Sequence, residues 1–248
     1  MENPEIEVIV ATMHDKAPVC LADFKDAPQN VALTIINQSD KEGEVFKDNV
    51  RWINTKSRGL SKSRNIGIKI ATSNLCLLSD NDVFINFKKL GFIAPMINKE
   101  DVGCVVCGNI SDVGFNTNKL IFLNKRKALK VCSWQIILNR KRVKDIFFDE
   151  RFGLGSDLNN SGEENIYLTD ILRKGIKIIA IPSKLIDHRD SGTGGIIDDN
   201  FYRVRINVFK RIFGSFIGYM IYILFLLKKK IEMKDISLSM GIYYLFKD

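Results

Sequence analysis

The sequence has 248 residues, a length that suits one α/β domain with a small extension. Its 46% hydrophobic and 27% charged residues exclude wholesale disorder, because they suffice to bury a core. The net charge of +8 is uneven: nine Lys or Arg against three Asp or Glu from residue 201 onward give +6, which leaves +2 for residues 1–200. This basic end predicts an anionic partner, either membrane lipid or nucleic acid.

The five cysteines and the acidic start of the chain (MENPEIE) favour a cytosolic protein with reduced thiols and no secretion signal. Cys104 and Cys107 form a C-x-x-C pair. Their flanks are typical of a β-strand, and no second pair or nearby histidine completes a zinc site. We interpret both cysteines as structural.

The first half of the chain alternates between apolar, strand-like runs and segments with helical spacing. Strands are predicted at 6–12, 31–37, 50–54 and 74–79. Helices are predicted at 20–27, 61–72 and 87–94. This alternation predicts a largely parallel sheet with helices on its faces.

The second half is less regular. Strands are predicted at 102–108, 119–124, 132–138 and 176–182. A glycine- and asparagine-rich stretch, 152–165, interrupts the pattern before a helix that begins at Gly162, and 190–195 is predicted to be a loop. We expect residues 1–200 to form one domain and residues 201–248 a basic, apolar helical segment.

Residues 212–227 are apolar or small and are flanked by Lys or Arg on both sides. As one helix they would span about 24 Å, less than the roughly 30 Å of a bilayer core. A helix lying in the membrane interface fits this pattern. Packing on the protein or on a second copy is the main alternative, and a transmembrane anchor ranks third.

The strand at 74–79 runs into two carboxylates, Asp80 and Asp82, with one neutral residue between them. Ligands bind at the carboxyl ends of the strands in parallel α/β sheets. Two carboxylates this close repel each other unless a cation compensates their charge. Mg²⁺ or Mn²⁺ does so and gives its remaining positions to phosphate oxygens and water. The motif therefore predicts a metal carrying a diphosphate; turn or helix-capping acids are the alternative.

Basic residues surround the start of the helix predicted just upstream, namely Arg58, Lys62 and Arg64. A helix N-terminus with nearby cations suits a phosphate group. Surface charge is the alternative for each residue taken alone. Arg64 is the strongest candidate, because it lies in the first turn of the helix that leads into the aspartate strand.

A second acidic pair, Glu163 and Glu164, lies at the start of the helix that follows Gly162. Helical spacing places Glu164 on the stripe with Leu168 and Glu163 on the stripe with Asp170. We therefore expect Glu164 on the buried face, where a carboxylate can act as a general base, and Glu163 on the solvent face. Helix capping is the alternative for either residue.

His188 follows the last predicted strand at the same sheet edge and is a candidate third metal ligand, since imidazole suits Mn²⁺ better than Mg²⁺. A packing or surface role is the more ordinary alternative. His14 is expected to line the site.

Seven segments in this order resemble glycosyltransferase family 2, over residues 5–190: VIVATMHD, INQSD, RGLSKSRNIGIKIAT, LCLLSDNDV, FDERFGLG, GEENIYLTDILRKGIKI and IDH. The resemblance implies the GT-A fold, an α/β domain with a Rossmann-like, mixed but mostly parallel central sheet flanked by helices. Here this domain would carry a C-terminal helical extension.

The resemblance also implies roles for the residues above. Asp80 and Asp82 would be the metal-binding D-x-D motif, with Asp82 the more direct ligand, and His188 a metal-proximal histidine. The donor side would be formed by Thr12, Asn37, Gln38, Asp40, Arg58, Arg64 and Asp80. The acceptor side would be formed by Trp134, Asp149 and Glu150. Glu163 and Glu164 would match the family's Glu-Asp pair, whose second acid is the base.

The function expected from this sequence is an inverting transfer from a nucleoside-diphosphate sugar, dependent on Mn²⁺ or Mg²⁺, to a saccharide or lipid-linked acceptor. We expect it in bacterial cell-surface polysaccharide synthesis, peripheral on the inner face of the plasma membrane and touching anionic lipid through residues 201–230. Alternatives are a catalytically inactive subunit, a sugar nucleotidyltransferase and a nucleic-acid-binding protein that uses the basic tail. Against the last, the tail's aromatic residues stand among aliphatic residues.

Overall fold

The computed structural model describes residues 5–90, 102–108, 120–182, 185–188, 197–232 and 236–247. Within these ranges a nine-stranded sheet has the order β3-β4-β2-β1-β5-β9-β7-β10-β8, and β6 pairs with β11 in a second, two-stranded sheet. The strands are β1 Ile6–Met13, β2 Val31–Gln38, β3 Gly43–Lys47, β4 Val50–Thr55, β5 Leu75–Asp80, β6 Val83–Ile85, β7 Val102–Gly108, β8 Ile121–Phe122, β9 Ile136–Asn139, β10 Lys177–Pro182 and β11 Ile186–His188.

The centre of the large sheet, β4-β2-β1-β5, is parallel. Strand β9 is inserted antiparallel between β5 and β7, and β7 pairs in parallel with β10. The helices are α1 Cys20–Phe24, α2 Leu60–Ile70, α3 Lys125–Ala128, α4 Arg140–Val143, α5 Glu163–Arg173, α6 Asp199–Phe213, α7 Ser215–Glu232 and α8 Leu238–Phe246. The predicted α/β fold with a mostly parallel, helix-flanked sheet is thus confirmed.

Both faces of the sheet are covered, so the central strands are mostly apolar and do not alternate between apolar and polar residues. In β1, Val8 and Val10 belong to the core on one face of the sheet and Ile9 to the core on the other. Helix α2 approaches the second face closely at Gly67, where a Cβ would lie 2.3 Å from Ile9 Cγ2. Glycine therefore sets the distance between α2 and β1.

Several predicted elements differ in detail from those observed. The strand predicted at 132–138 begins as a turn of 3₁₀ helix at Ser133–Gln135, and only Ile136–Asn139 joins the sheet. The strand predicted at 119–124 is reduced to Ile121–Phe122. The loop predicted at 190–195 lies outside the described residues, as does half of the helix predicted at 87–94, of which 87–90 are helical.

The apolar stretch 212–227 is not one helix. Gly214 has φ of 80°, a left-handed conformation that ends α6, and α7 starts at the next residue. Helices α6, α7 and α8 pack together around Tyr202, Tyr222, Leu226 and Tyr244. None of the helices in the described ranges has the length and apolar content needed to cross a membrane.

Candidate active site

The candidate site lies where β1, β2 and β5 end. Asp80 is the last residue of β5, and Asp82 follows in the turn before β6. Strand β11 pairs with β6 so that the backbone of His188 lies opposite Val83, the residue after Asp82. The side chain of His188 is outside the described part of the chain, so its candidacy as a ligand rests on this backbone position.

Arg64 joins the two acidic pairs. One terminal nitrogen donates to Asp80 Oδ1 and to Ser133 Oγ, each at 2.7 Å, and the other donates to Glu163 Oε1 at 2.7 Å. Its side chain is only 1% exposed. Burial alone would lower the pKa of Arg64, but the negative charges of Asp80 and Glu163 raise it. Arg64 is therefore a buried cation that holds β5, α5 and the 3₁₀ turn together.

Helix α5 begins at a tightly packed glycine. Gly162 has φ of 86°, and a Cβ there would lie 2.5 Å from Val208 Cγ2 of α6. This close approach fixes the start of α5, from which Glu163 points inward to Arg64. The first turn of α5 is thus held from both sides.

The expected division of the Glu163–Glu164 pair is wrong in one respect. Glu163 is the buried acid, with a side chain 6% exposed, and Glu164 is partly exposed. The prediction from helical spacing failed because α5 is buried on more than one face. Tyr167 lies on the stripe that was predicted to face solvent and Leu168 on the stripe that was predicted to be buried, and both are fully buried. Glu164 still suits a base, since Arg64 donates its hydrogen bond to Glu163 and leaves the Glu164 carboxylate available.

The environment of Glu164 favours its protonated form. Although the residue as a whole is partly exposed, surrounding protein atoms keep water from its carboxyl group. This desolvation and the neighbouring charge of Glu163 raise the pKa of Glu164 to about 8, against the opposing influence of Arg64 and Arg205. In its deprotonated form, a carboxylate with such a pKa is a stronger proton acceptor than an ordinary glutamate. This property matches the requirement for a general base.

The polar residues predicted for the donor side cluster at the ends of β1 and β2. Asn37 is buried, and its amide nitrogen donates to Asp15 Oδ1 at 2.5 Å and to Asn54 Oδ1 at 2.8 Å. Thr12 Oγ1 donates to the Lys16 carbonyl oxygen at 2.7 Å. These bonds orient the loop after β1.

Gln38 and Asp40 link β2 to the approach to α2. Gln38 Oε1 accepts from the Gly59 amide at 2.7 Å, and Asp40 pairs with Arg58 at the surface. The Leu60 amide donates to the Leu154 carbonyl oxygen. The Gly59 and Leu60 amides, at the start of α2, are therefore engaged by protein groups.

The residues predicted for the acceptor side have different environments. Trp134 is partly buried against the core. Asp149 accepts hydrogen bonds from Arg151 and Arg211, and its pKa falls to about 2 because these bonds, that of Arg151 first, favour the carboxylate. Glu150 is exposed and accepts from Asn65 at 3.0 Å. Asp149 thus anchors α6 to the 148–152 segment.

Asp80 and Asp82 suit a divalent ion only if the substrate or water supplies its remaining ligands. Within the described residues, no group of three His, Cys, Asp or Glu side chains is arranged to hold a metal. Asp80 gives one oxygen to Arg64, whereas Asp82 lies half-buried in the turn beyond it. Mg²⁺ and Mn²⁺ are commonly held by one or two carboxylates plus substrate phosphates, and the donor set here fits that arrangement.

Two contacts of the site were missed by sequence reasoning. Ser133 accepts from Arg64 and lies 3.4 Å from Asp80 Oδ2, but it falls inside a segment that was predicted to be a strand. Asp15 lies in a left-handed turn, with φ of 57°, and its backbone amide donates to Asn37. The position of Asp15 directly after β1 could have indicated that it belongs to the site. No local feature of the sequence indicated the same for Ser133.

Comparison with known proteins agrees with this fold. The model of the family "Glycosyl transferase family 2" matches residues 25–156, about half of the chain. The chain therefore belongs to glycosyl transferase family 2, which makes it a nucleotide-sugar glycosyltransferase by class, and its sheet is that of the GT-A fold. A search of the curated proteins found no match.

Solved structures share the fold at low sequence identity. S. aureus TarS 1–349 aligns with a TM-score of 0.64 at 16% identity, over 97% of this chain and 78% of that one. Its complex with UDP-GlcNAc aligns with a TM-score of 0.60 at 16% identity, over 97% and 79%. The mannosyltransferase PcManGT from Pyrobaculum calidifontis, in complex with GDP-Man and Mn²⁺, aligns with a TM-score of 0.54 at 13% identity, over 88% and 65%.

Proposed function

We propose that this protein is a divalent-metal-dependent, inverting glycosyltransferase that moves a sugar from a nucleoside-diphosphate sugar to an acceptor hydroxyl. The observation that carries the proposal is the buried Arg64, which binds Asp80 of the D-x-D motif and Glu163 of the acidic pair, each at 2.7 Å. One residue thereby holds the predicted leaving-group side and the predicted base side of a single site. Family membership and neighbours that bind UDP-GlcNAc or GDP-Man with Mn²⁺ support it.

In the proposed reaction, Glu164 accepts the proton of the acceptor hydroxyl while the hydroxyl oxygen bonds to the anomeric carbon. The bond from that carbon to the diphosphate oxygen breaks, and its electron pair leaves with the nucleoside diphosphate. Attack from the face opposite the leaving group inverts the configuration. Arg64 acts as a positioning residue, because its contacts orient Asp80 and the start of α5.

Asp82 is the proposed principal metal ligand, with Asp80 beside it and His188 a further candidate. When bound, Mg²⁺ or Mn²⁺ would neutralise charge on the departing diphosphate. Asp80 and its Arg64 contact would keep the end of β5 in place for this ion. The donor base and ribose are proposed to lie near Asn37, Gln38 and Thr12, at the ends of β2 and β1.

We further propose a saccharide or lipid-linked acceptor, used in cell-surface polysaccharide synthesis at the inner face of a membrane. The basic, apolar C-terminal segment supports a lipid-proximal acceptor. The partly exposed Glu164 with its raised pKa supports an active enzyme over an inactive subunit. We place Trp134 and Glu150 on the acceptor side, and Asp149 beneath it as an anchor.

Donor binding tests the metal site without requiring an acceptor. We expect thermal stabilisation by one of UDP-, GDP- or dTDP-sugars that needs Mn²⁺ or Mg²⁺. Asp82→Asn should abolish the metal-dependent part of this shift, because it removes the ligand charge at nearly constant size. Asp145→Asn, at an exposed position, is the matched control and should bind as wild type does. A metal-dependent shift that persists in Asp82→Asn contradicts the metal assignment.

Donor hydrolysis tests the base, with release of the nucleoside diphosphate as the readout. We expect Glu164→Gln to bind the donor as wild type does and to lose at least about a hundredfold in turnover. Glu42→Gln, at an exposed position, is the control. Full turnover by Glu164→Gln would remove this residue as the base. Donor binding without turnover in the wild type, with any acceptor tried, would favour an inactive subunit.

A further inference from the structure

Helix α7 presents an apolar face to solvent. Phe216 is 78% exposed, Leu224 63% and Ile231 88%. Besides Ile217, which is 52% exposed, six large apolar side chains recur at helical spacing on the exposed side of this helix: Phe216, Met220, Ile223, Leu224, Leu227 and Ile231. Contiguous apolar surface of this kind marks an interaction site on a folded protein. We call these six residues the apolar face of α7.

The opposite side of α7 is already packed on the protein. Tyr222 and Leu226 are fully buried against α6 and α8, and the Tyr222 hydroxyl donates to the Gly241 carbonyl oxygen at 3.3 Å. A Cβ on Gly218 would lie 2.7 Å from the Lys210 backbone nitrogen of α6. These contacts fix the helix about its axis, so the apolar face is held outward.

Helix α8 exposes apolar side chains as well. Ile242, Tyr243 and Phe246 lie on one side of it and are 50%, 51% and 84% exposed. Lys247 places its ammonium group 5.0 Å from the Tyr243 ring centroid. An aromatic ring beside a lysine is typical of side chains at the boundary between lipid headgroups and acyl chains.

Charge indicates what covers this surface. Residues 215–227 contain no charged side chain, and three lysines follow, Lys228, Lys229 and Lys230. The single acid of α7, Glu232, is ion-paired with Lys228 at 3.5 Å and Lys229 at 2.9 Å. The segment from 201 onward carries +6, so two copies brought together would repel each other. An anionic bilayer offers apolar depth and opposite charge together.

We propose that the apolar face of α7, together with the exposed side of α8, docks on an anionic lipid bilayer and lies in its interface without crossing it. The 18 residues of α7 span about 27 Å, less than the roughly 30 Å of a bilayer core, and end in a charged segment from Lys228 to Glu232. The lysines at 228–230, near the C-terminal end of the apolar face, would meet the headgroups.

The docking surface is coupled to the candidate site through α6. Arg211 of α6 binds Asp149 at 2.8 Å and Asp170 of α5 at 2.7 Å, and Asn207 donates to Asn159 at 2.8 Å. Docking would therefore hold the site at a set height above the bilayer. Delivery of a lipid-linked acceptor along that surface rests on the proposed function; the docking itself does not.

Vesicle co-sedimentation of the full chain tests the proposal. We expect binding to vesicles of phosphatidylcholine with 30% phosphatidylglycerol, at least about tenfold stronger than to phosphatidylcholine alone. The double variant Phe216→Glu/Leu224→Glu should lose at least about tenfold in binding. Val45→Glu/Phe46→Glu is the matched control, because these residues are 62% and 69% exposed on the edge strand β3. Thermal melting checks that both variants fold.

Three outcomes would overturn the proposal. The first is equal sedimentation of the α7 variant and the β3 variant, and the second is a wild-type protein that does not bind the anionic vesicles. The third is a dimer in solution that Phe216→Glu/Leu224→Glu abolishes while vesicle binding is unchanged; this result would assign the apolar face to a second copy of the chain. Loss of nucleotide-sugar turnover with intact vesicle binding would instead affect the proposed function alone.

Discussion

Arg64 and Glu163 form a buried ion pair at 2.7 Å between residues 99 positions apart in the chain. The same guanidinium holds Asp80, so the end of β5 and the start of α5 have a common cation. Phe148 stacks nearby, with its ring centroid 5.5 Å from Arg64 Cζ. The contacts of Arg64 with Glu163 and Asp80 make the candidate site one structural unit, and they make the stability of the fold depend on the site's charges.

Replacement of Arg64 should therefore be far more costly than replacement of an exposed arginine. Arg64→Met should lower the free energy of unfolding by about 3–5 kcal/mol, because two carboxylates lose their cation in a buried setting. Arg58→Met removes the surface pair with Asp40 and should cost less than about 1 kcal/mol. Urea unfolding measures both. Equal losses of stability would mean that the buried contacts of Arg64 contribute no more than the exposed pair of Arg58 with Asp40.

Glu163 supplies an internal check on that prediction. Adding Glu163→Gln to Arg64→Met should recover part of the lost stability, since one uncompensated carboxylate is neutralised. Strict additivity of the two losses would contradict the ion-pair interpretation.

Glu164 should destabilise the fold at neutral pH. Its folded-state pKa of about 8 lies above the ordinary 4.5, so the folded protein binds this proton more tightly than the unfolded chain does. Stability linked to Glu164 is then complete below pH 4.5 and is lost as the pH rises toward 8. Glu164→Gln should unfold at higher urea than wild type at pH 8.5, and the two should converge near pH 4. Glu42→Gln should show no such divergence; a Glu164→Gln advantage that is independent of pH would contradict the assignment.

The ion pairs of Asp149 with Arg151 and Arg211 should weaken in acid. The pKa of Asp149 is lowered to about 2, so its contribution is present above the ordinary value near 4 and is lost as the pH falls toward 2. Asp149→Asn should cost roughly 1–3 kcal/mol at pH 7, and the difference from wild type should shrink in that acid range. Urea unfolding at pH 7 and pH 3 measures this, with Asp145→Asn as the exposed control. A constant difference between the two pH values would argue against the ion pair.

The sign of the stability change on Gly67→Ala tests how closely α2 packs on β1. In a helix interior, alanine is normally more stable than glycine by about 0.5–1 kcal/mol. Here a Cβ would overlap Ile9 Cγ2 at 2.3 Å, so Gly67→Ala should instead destabilise by about 1–3 kcal/mol. Ile9→Ala removes the obstructing methyl group, and the double variant should be more stable than the two single losses predict. A stabilising Gly67→Ala would disprove the close approach of α2 to β1.

Local pattern was sufficient to predict most of the fold. The apolar runs of β1, β2 and β5 are strands buried on both faces, and Asp80 and Asp82 lie at the end of β5 as expected. Glu7 shows the limit of such patterns: within the apolar run of β1 it is a buried acid that accepts from Thr34 Oγ1 at 2.6 Å and from the Thr72 amide at 2.8 Å. Its partners come from two other segments, so the run of apolar neighbours could not reveal them.

Glu163 and Glu164 show most clearly what local sequence determines and what tertiary structure decides. The sequence alone determined that Glu163 and Glu164 stand at the start of a helix, because a glycine precedes them and helical spacing follows. Which of the two is buried was decided by tertiary structure, since α5 is covered on more than one side and Arg64 reaches Glu163 from another helix. Spacing and end signals act over a few residues. The charge environment of a side chain depends on segments that only folding brings together.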